Sequence, residues 1–362
     1  MASVTEESAI KAVVYSAPRD FDIVDVPTPD PGPGEVRVRI ELAGVCSTDL
    51  HIHDGTSPAT FPLTPGHEMV GIVESMGPDV TGVALGKRVV VNGTAACGAC
   101  AFCTEGKPLQ CAALSALGVT GPGGFAEAVL TPASRCVNVG DLDPGIAVFA
   151  EPAACAIHGM EVLRPRPGST ALVLGSGPNG LLLAQLLMHD GAARVTVAAP
   201  SRFKLEIARQ LGIDEVIQIS REPAKAFDLL HDVRPEGFDN VVVATAVPGV
   251  FEIATPLTRD GGTVLWYGIT TGDDRVAVRP YDVYRREITI KGSFAQVTSF
   301  RQAVLALQHG RIFTEGLITH AFALDDYGRA LGAVRRERSC LKAVIDPNLK
   351  AARSREPADR FS

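Results

Sequence analysis

The chain has 362 residues, which is long enough for two domains, because a single hydrophobic core seldom grows beyond about 250–300 residues. Hydrophobic residues make up 46% of it and charged residues 21%, the proportions of an ordinary globular protein. The formal net charge of -7 and the lack of a long Lys/Arg run argue against binding to a nucleic-acid backbone.

The compartment is predicted from the start of the chain and from its cysteines. The first residues, Met-Ala-Ser-Val-Thr-Glu-Glu, are polar and acidic, unlike a signal peptide. Gly and Pro interrupt the longest apolar candidate, around 171–188, before it reaches the roughly 18–20 residues of a membrane span. Four of the eight cysteines form one tight cluster, which suits metal binding in a reducing compartment. We therefore expect a cytoplasmic protein with no membrane partner.

The first part of the chain has the pattern of β-structure. Apolar and charged residues alternate over 36–41, as expected for a strand with one buried face. Short β-rich runs separated by Gly/Pro turns follow at 69–75, 87–91 and 125–130. This part is therefore predicted to be mostly β.

A thiol, an imidazole and a carboxylate lie close together in this β-rich part. Cys46, His67 and Glu68 fall within 23 residues, and these are ligand types that bind zinc while leaving a position open. Asp49 could accept the other ring proton of His67, the support that metal-bound histidines usually have. From these residues alone, a part-buried Cys, a capping Asp and a surface His remain an alternative to a metal site.

Four further cysteines, Cys97, Cys100, Cys103 and Cys111, lie within 15 residues of each other. Four thiolates at this spacing can close a tetrahedral zinc site, which would hold a loop that has little core of its own. An iron–sulfur cluster uses similar ligands, and a redox pair is a further alternative. We interpret this group as a structural zinc site.

The pattern changes to alternating strands and helices after about residue 168. A short apolar strand at 171–174 leads into the glycine-rich turn formed by Gly175, Gly177, Pro178, Asn179 and Gly180, and then into a helix. Strand, glycines and helix in this order let a dinucleotide pyrophosphate approach the backbone at a helix N-terminus, although a tight turn of any α/β protein is the alternative. Apolar runs recur at 194–198, 215–219, 240–244, 263–267 and 287–291. Their spacing predicts a doubly wound parallel sheet of about six strands.

The second strand of this sheet ends without the acid that usually binds the adenosine 2′-hydroxyl. An Asp or Glu is expected about 20 residues after the glycines. The sequence instead has Ala199, followed by Ser201, Arg202 and Lys204. A hydroxyl and two cations favour the 2′-phosphate of NADP over NAD, although solvated charges at a helix start would look the same.

The tail of the chain is predicted to return to the first domain, because the six-stranded sheet is already complete. It contains helix-like runs at 300–307 and 325–334 and an apolar strand at 341–345. Residues from Lys350 on are rich in charge and are expected to form a mobile end. Histidines outside the motifs, including His53, are expected at the surface or at helix caps.

Together, these motifs resemble the zinc-dependent medium-chain alcohol and polyol dehydrogenases over residues 10–347. The motifs occur in the family's order: the Cys46 segment, Gly66-His67-Glu68, the four-cysteine loop, Glu151-Pro152 and the glycine-rich turn. The sorbitol dehydrogenase-like branch is most similar, because Glu151 occupies the place of a metal-binding Cys in ordinary alcohol dehydrogenases. Ala295-Gln296 depart from this branch, since an Arg-Tyr pair that holds substrate hydroxyls is expected there.

The resemblance implies a role for each matching residue. Cys46, His67 and Glu68 would hold a catalytic zinc, with Glu151 as a fourth or exchangeable ligand. Thr48 would begin the proton relay and His51 would end it. The implied fold is a GroES-like β-domain from residues 1–157 and 292–362, with a Rossmann domain inserted at 158–291. The family is usually dimeric or tetrameric, which implies a homo-oligomer.

The implied activity is reversible oxidation of a secondary alcohol, such as a polyol, cyclitol or related sugar alcohol, to a ketone. Hydride would pass to NADP, and each chain would hold one catalytic and one structural zinc. A threonine- or simple-alcohol-type dehydrogenase of the same family and a non-catalytic NADP-binding relative are the alternatives. A metal-free reductase of enones or quinones would not need Cys46, His67 and Glu68 together.

Overall fold

The computed structural model describes residues 9–351 and divides them into two compact units. The first unit comprises 9–95, 113–149 and 318–351, and the second comprises 96–112 and 150–317. These units are defined by contacts within the chain, so the predicted domain boundaries at 157/158 and 291/292 stay a prediction. Most of the predicted mobile end after Lys350 lies outside the described residues.

The strands and helices follow one another along the whole described chain. The strands are β1 Ala9–Ala17, β2 Asp20–Pro27, β3 Glu35–Val45, β4 Glu68–Met76, β5 Arg88–Asn92, β6 Thr94–Ala95, β7 Ser115–Ala116, β8 Ala128–Pro132, β9 Cys136–Asn138, β10 Thr170–Leu174, β11 Arg194–Ala199, β12 Glu215–Gln218, β13 Phe238–Val243, β14 Thr258–Trp266, β15 Thr289–Gly292, β16 Ile318–Ala323 and β17 Lys342–Asp346. The α-helices are α1 Ser47–Asp54, α2 Ala101–Thr104, α3 Pro144–Ala147, α4 Ala150–Leu163, α5 Pro178–His189, α6 Arg202–Gln210, α7 Pro223–Val233, α8 Pro248–Leu257, α9 Pro280–Arg285, α10 Phe300–Gln308 and α11 Tyr327–Arg336. Short 3-10 turns cover Pro108–Gln110, Ala133–Arg135 and Leu324–Asp326.

The first unit is built on a seven-stranded sheet that combines both ends of the chain. Its strands lie in the order β16-β17-β3-β4-β5-β9, with β8 also paired to β3. Alternate residues of β3, at 36, 38 and 40, are buried, as their apolar character predicts. The tail returns to this sheet, since Ala343 of β17 pairs with Val45 of β3. The β-rich first domain completed by the tail is therefore confirmed.

The β1–β2 hairpin packs against helix α11 through aromatic side chains. Tyr15 and Tyr327 are fully buried, and their rings meet edge to face at 6.2 Å. Phe21 contacts both rings at centroid distances of 5.1 Å. Such pairs stabilise a core beyond the area that they bury. They join the start of the chain to a helix more than 300 residues later.

The second unit contains the predicted doubly wound sheet. Six parallel strands lie in the order β12-β11-β10-β13-β14-β15, with helices between consecutive strands. Strands β10 and β13 lie side by side in the middle of the sheet. The chain runs outward from β10 to β12 on one side and from β13 to β15 on the other, so the strand order reverses between β10 and β13. In open α/β sheets, ligands bind beyond the carboxyl ends of the strands at this reversal. The Rossmann architecture is confirmed.

One stretch differs from the expectation about apolar length. By length and composition alone, Pro144–Leu163, which contains α3 and α4, could span a membrane. The expectation that no apolar run is long enough was therefore wrong. Within its most apolar window, 61% is buried inside the protein, as is usual for a core helix.

Candidate active site

The sulfur of Cys46 is positioned by the junction between β3 and α1. Cys46 follows β3 directly and is the N-cap of α1, with extended backbone angles. Its backbone N–H donates to the Oδ2 of Asp49 at 2.8 Å, which satisfies one of the free donors of the helix start. The thiol is therefore held at the end of a buried strand by a helix cap.

His67 and Glu68 are brought to this thiol by the pairing of β3 with β4. Gly44 lies opposite Glu68 in the register, and a Cβ on Gly44 would be 1.9 Å from Glu68 Oε2. Only glycine leaves room for this carboxylate. Ligand atoms of Cys46, His67 and Glu68 all lie within 4.8 Å of one another. We call these three residues the mixed cluster.

Lys342 is a member of this site that the sequence analysis missed. It begins β17, is 4% exposed, and its Nζ lies 2.7 Å from Oε1 and 2.5 Å from Oε2 of Glu68, which is 1% exposed. Burial lowers the pKa of Lys342, but Glu68, the Cys46 sulfur and Asp49 outweigh burial and raise this pKa overall. The ammonium therefore stays charged. The only sequence signal was a lysine within an apolar strand.

Asp49 lies beside His67 without forming a hydrogen bond in this structure. The two groups are 3.7 Å apart, from Asp49 Oδ1 to His67 Nδ1, which is longer than a hydrogen bond. Asp49 is fully buried, and burial raises its pKa, an effect that His67 partly opposes. Its Oδ1 has no hydrogen-bond partner within residues 9–351. This acceptor faces the ring nitrogen that must carry a proton when the other nitrogen binds a metal, so the residues fit a zinc site.

The two predicted relay residues lie one turn apart on α1. Thr48 Oγ1 is 3.7 Å from Cys46 Sγ, which keeps the hydroxyl at the mixed cluster. His51 Nδ1 is hydrogen-bonded to Thr56 Oγ1 at 2.9 Å. In the described part of the chain, Thr48 and His51 do not hydrogen-bond to each other. The relay stays a prediction.

Glu151 lies in the second unit, in the first turn of α4. Its Oε1 accepts a hydrogen bond from the thiol of Cys155, one turn later, at 3.1 Å. The sequence analysis did not anticipate this pair. The role of Glu151 as a fourth ligand stays a prediction.

The four cysteines of the second loop form a separate group, which we call the cysteine cluster. The Sγ atoms of Cys97, Cys100, Cys103 and Cys111 lie within 4.8 Å of one another. Cys103 Sγ lies 4.0 Å from Cys97 Sγ and 3.6 Å from Cys100 Sγ. Thiolates around one zinc at about 2.3 Å would be about 3.8 Å apart in a tetrahedron. All four are free cysteines, so the spacing fits one tetrahedral ion.

Backbone N–H groups favour the thiolate form of some of these cysteines, whereas burial raises the pKa of Cys103 to about 12. The N–H of Cys97 donates to Cys111 Sγ at 3.3 Å, and that of Cys100 donates to Cys97 Sγ at 3.4 Å. Hydrogen bonds from the N–H groups of Cys103 and Ala112 lower the pKa of Cys100 to about 6. Metal ligands must be deprotonated, so these donors favour binding.

The three glycines of the glycine-rich turn have different surroundings, and a side chain at two of them would clash with the backbone. Gly175 has φ of +124°, and a Cβ there would lie 2.6 Å from the carbonyl oxygen of Ala244. A Cβ on Gly180 would lie 2.2 Å from the Gly175 oxygen, so this glycine lets α5 pack on β10. Gly177 faces open space, where a pyrophosphate would approach the backbone.

Helix α5 begins immediately at this turn. Gly177 is its N-cap, and Pro178 and Asn179 are its first two residues. Pro at the first position lacks an N–H that would otherwise be unpaired. The remaining N–H groups of this first turn are available to an anion.

The residues predicted to bind the adenosine end follow β11. Ala199 is its last residue and is buried, and Ser201 N-caps α6 by accepting a hydrogen bond from the Lys204 N–H at 3.4 Å. Arg202 is exposed and makes no hydrogen bond or ion pair with any residue in the described range. Its guanidinium is therefore available to a ligand.

The comparisons with known proteins agree with this arrangement. The alcohol dehydrogenase GroES-like domain matches residues 32–141, and the zinc-binding dehydrogenase family matches residues 178–309. D-arabinitol dehydrogenase 1 of Uromyces fabae is 41% identical over 350 residues, which are 96% of this chain and 100% of the relative.

Two solved structures have the same fold over nearly the whole chain. A protein described as a zinc-binding dehydrogenase of Sinorhizobium meliloti 1021, bound to NADP, is 31% identical with a TM-score of 0.89 and covers 94% of this chain and 100% of its own. An alcohol dehydrogenase of E. coli CFT073, complexed with NADH, is 28% identical with a TM-score of 0.86 and covers 94% and 99%. The chain therefore belongs to the zinc-dependent medium-chain alcohol and polyol dehydrogenases, and it is an oxidoreductase.

Proposed function

We propose that the protein oxidises a secondary alcohol of a polyol to a ketone and transfers the hydride to NADP. The observation that carries this proposal is the convergence of Cys46, His67 and Glu68 on one partly buried point, in a chain that also contains a Rossmann domain. One thiolate, one imidazole and one carboxylate suit a catalytic zinc with a free coordination position.

Each residue of this site has a task. Cys46, His67 and Glu68 would hold the zinc, which supplies Lewis acidity that lowers the pKa of a bound alcohol. Asp49, whose Oδ1 lies 3.7 Å from His67 Nδ1, would fix the orientation and tautomer of the His67 ring when the other ring nitrogen binds zinc. Thr48 accepts the proton of the substrate hydroxyl, and His51 passes it to solvent.

Lys342 sets the charge behind Glu68, one of the three proposed metal ligands. Their pairing compensates a carboxylate that would otherwise be costly to bury. Glu151 would act as a fourth or exchangeable ligand, in keeping with the sorbitol dehydrogenase-like branch.

Two observations bear on the substrate class, namely the similarity to D-arabinitol dehydrogenase 1 and the segment that contains Ala295 and Gln296. The polyol branch has an Arg-Tyr pair where this chain has Ala295 and Gln296. Gln296 is fully buried and Ala295 has φ of +46°, and neither side chain carries the charge or the phenol of that pair. A pentitol such as D-arabinitol therefore remains the best candidate, with hydroxyl recognition that differs from sorbitol dehydrogenases.

For the cofactor, NADP is favoured over NAD because Arg202 is free and no acid follows β11. A guanidinium binds a phosphate through two parallel hydrogen bonds. In contrast, an NAD-specific site needs a carboxylate for the 2′-hydroxyl. Ser201 and Lys204 would support the same phosphate.

The test combines a metal count with a substrate panel. The purified chain should contain two zinc ions, and it should reduce NADP faster with D-arabinitol than with L-threonine or a simple secondary alcohol. One zinc per chain, or faster turnover of L-threonine or the simple alcohol, would contradict the proposal. Ethylene glycol is a suitable control, because it has hydroxyls but no secondary alcohol.

The compartment and the oligomeric state are also part of the proposal. A cytoplasmic homodimer or homotetramer is proposed from the family and from the cysteines, which are all free within residues 9–351. Light scattering on the purified chain tests the assembly, and a monomeric mass would contradict it.

A further inference from the structure

The carboxylate of Glu68 belongs to the mixed cluster and is also held by a cation. Lys342 Nζ lies 2.7 Å from its Oε1 and 2.5 Å from its Oε2, and both side chains are almost completely buried. We propose that Lys342 is a positioning residue that competes with the zinc for this carboxylate and so makes Glu68, and not only Glu151, an exchangeable ligand. This role of Lys342 rests on the proposed function, because it needs a zinc ion bound at the mixed cluster.

The two oxygens of Glu68 have different surroundings. Oε1 accepts a hydrogen bond from Lys342 Nζ. Oε2 is buried and close to the same ammonium, but it makes no hydrogen bond within residues 9–351. Buried acceptors are nearly always paired, so Oε2 is suited to a further partner. One oxygen is therefore bonded to Lys342, and the other is available to a metal.

The available oxygen lies on the side of β3 that also carries the thiol. A Cβ on Gly44 would be 1.9 Å from Glu68 Oε2, so this oxygen is packed over the face to which position 44 points. Side chains two residues apart on extended backbone share a face, and Cys46 has extended backbone angles. Glu68 Oε2 and the sulfur of Cys46 are therefore presented on the same face of the strand.

A group behind a metal-binding carboxylate can strengthen or weaken the binding, and the charge of Lys342 decides between these effects. A neutral donor on the outer oxygen orients the carboxylate and leaves its full charge to the metal. Lys342 instead places a positive charge close to both oxygens. This charge repels a divalent cation, and the repulsion is stronger in a buried site than in water. The ammonium therefore weakens the hold of Glu68 on a metal.

Lys342 also makes the release of Glu68 less unfavourable. A carboxylate that leaves a metal in a buried site becomes an unpaired charge, which is strongly destabilising. The ammonium, 2.7 Å from Oε1, is already in place as a counter-ion. The carboxylate of Glu68 therefore stays paired whether or not it binds the metal.

The neighbours of the other two ligands do not compete with a metal in this way. The sulfur of Cys46 lies 3.7 Å from the hydroxyl of Thr48, which carries no charge. His67 lies beside the carboxylate of Asp49, which supports metal binding through the ring. Of the three ligands, Glu68 is therefore the one expected to exchange.

The zinc affinity of Lys342→Met tests the direction of the effect. Met has a similar length and no charge, so the variant should hold the zinc of the mixed cluster about 10- to 100-fold more tightly, the size usual for changes behind a metal ligand. A purely structural role of Lys342 predicts weaker binding instead. Competition with a chelator measures the affinity, and the zinc in question is the one that His67→Ala lacks.

Two outcomes of this titration have different meanings. Unchanged or weaker zinc binding in Lys342→Met, with zinc present in the wild type, would overturn the competition and leave the proposed function intact. A wild-type chain that binds no zinc at the mixed cluster would overturn both.

A second measurement covers poor folding of the zinc-free variant. Tighter binding to the folded chain raises its stability by mass action, so added zinc should raise the urea midpoint of Lys342→Met more than that of the wild type. If the variant folds only with zinc, its refolding on addition of zinc supports the competition. Equal shifts of the two midpoints, or a variant that stays unfolded in excess zinc, would overturn it.

Two further variants separate competition for Glu68 from a general loosening of the sheet. Arg88→Met breaks a half-buried ion pair with Glu41 in the same sheet and should leave the zinc affinity unchanged. In a Glu68→Gln background, Lys342→Met should tighten zinc binding at least about tenfold less, because the carboxylate for which the two cations compete is gone. Equal tightening by Arg88→Met, or equal tightening with and without the Glu68 carboxylate, would overturn the proposal.

Discussion

The two groups of candidate metal ligands differ in how the chain assembles them. The cysteine cluster uses four residues of one short loop, and its thiols are held by backbone N–H groups of that same loop. The mixed cluster needs the register of two strands, a helix cap and Lys342, which is 274 residues from Glu68 in sequence. A structural site can therefore be local, whereas the candidate catalytic site depends on the whole first unit.

The ligand chemistry of the two groups differs in the same way. Four thiolates leave zinc no open position, so the cysteine cluster can only support its loop. Three ligands of different types leave a position for substrate, and burial of Asp49 and Glu68 strengthens their interactions. The predictions below test this division of roles.

The largest effect is expected from His67→Ala. This variant should lose the catalytic zinc and with it about a thousandfold or more of turnover, since Lewis-acid stabilisation is worth several kcal/mol and 1.36 kcal/mol is tenfold. Zinc per chain should fall from two to one in elemental analysis. NADP binding, followed by fluorescence, should be retained, and substantial turnover would show that His67 is not a ligand.

Removal of the buried cation should have the next largest effect. In the zinc-free protein, Lys342→Met leaves Glu68 charged and unpaired in the core, so the free energy of unfolding should fall by about 3–5 kcal/mol. Urea denaturation monitored by fluorescence measures this change. The control is Lys107→Met, which breaks an exposed pair with Glu105 and should cost only about 0–1 kcal/mol. Equal effects of both variants would refute a structural role for Lys342.

Asp49→Asn tests the support of His67. The variant should weaken zinc binding at the mixed cluster about 10- to 100-fold, as changes behind a metal-bound histidine usually do. Competition with a chelator measures this affinity, and the zinc of the cysteine cluster should be unaffected. If both zinc ions leave together, the two clusters are not independent.

Cys103→Ser tests whether the cysteine cluster has a structural role only. Loss of one thiolate should remove the structural zinc and lower the melting temperature, because metal binding contributes to folding of the loop. Turnover per folded chain, measured well below that temperature, should remain within about threefold of the wild type if this metal has no open position for substrate. A loss of turnover as large as that of His67→Ala would assign chemistry to the cysteine cluster.

The smallest effect is expected from Arg202→Ala. The variant should lose about tenfold in affinity for NADP, since a charge-assisted hydrogen bond is worth about 1.5–3 kcal/mol, and should keep its affinity for NAD. Arg209→Ala is a matched control on the same helix, because Arg209 pairs with Glu206 at the far end of α6. A wild-type protein that prefers NAD would contradict the cofactor assignment at once.

Much of the fold could be predicted because its signals are periodic. Alternation in β3, the apolar runs of the parallel sheet and the glycine-rich turn each depend on residues close in sequence. The cysteine cluster was predictable for the same reason. The three residues of the mixed cluster were also named in advance, but through their order along the chain and not through any local geometry.

The missed features share a physical cause, which is contact between distant segments. His53 looked like a surface residue because its partners, Tyr15 and Phe21, lie on the β1–β2 hairpin, more than 30 residues earlier in the chain. Lys342 looked like an isolated charge because Glu68 lies on another strand. A polar residue in the core is stable only when such a partner exists, and sequence patterns do not name the partner.

The amino-acid sequence by itself determined the two kinds of domain, the residues able to bind metal and the turn able to bind a dinucleotide. Only the tertiary structure decided that Lys342 neutralises Glu68, that Asp49 faces His67 at 3.7 Å, and that His53 is buried beside the hydroxyl of Tyr15. The reason is that backbone periodicity depends on neighbours in sequence, whereas electrostatic pairing depends on strand register and helix packing.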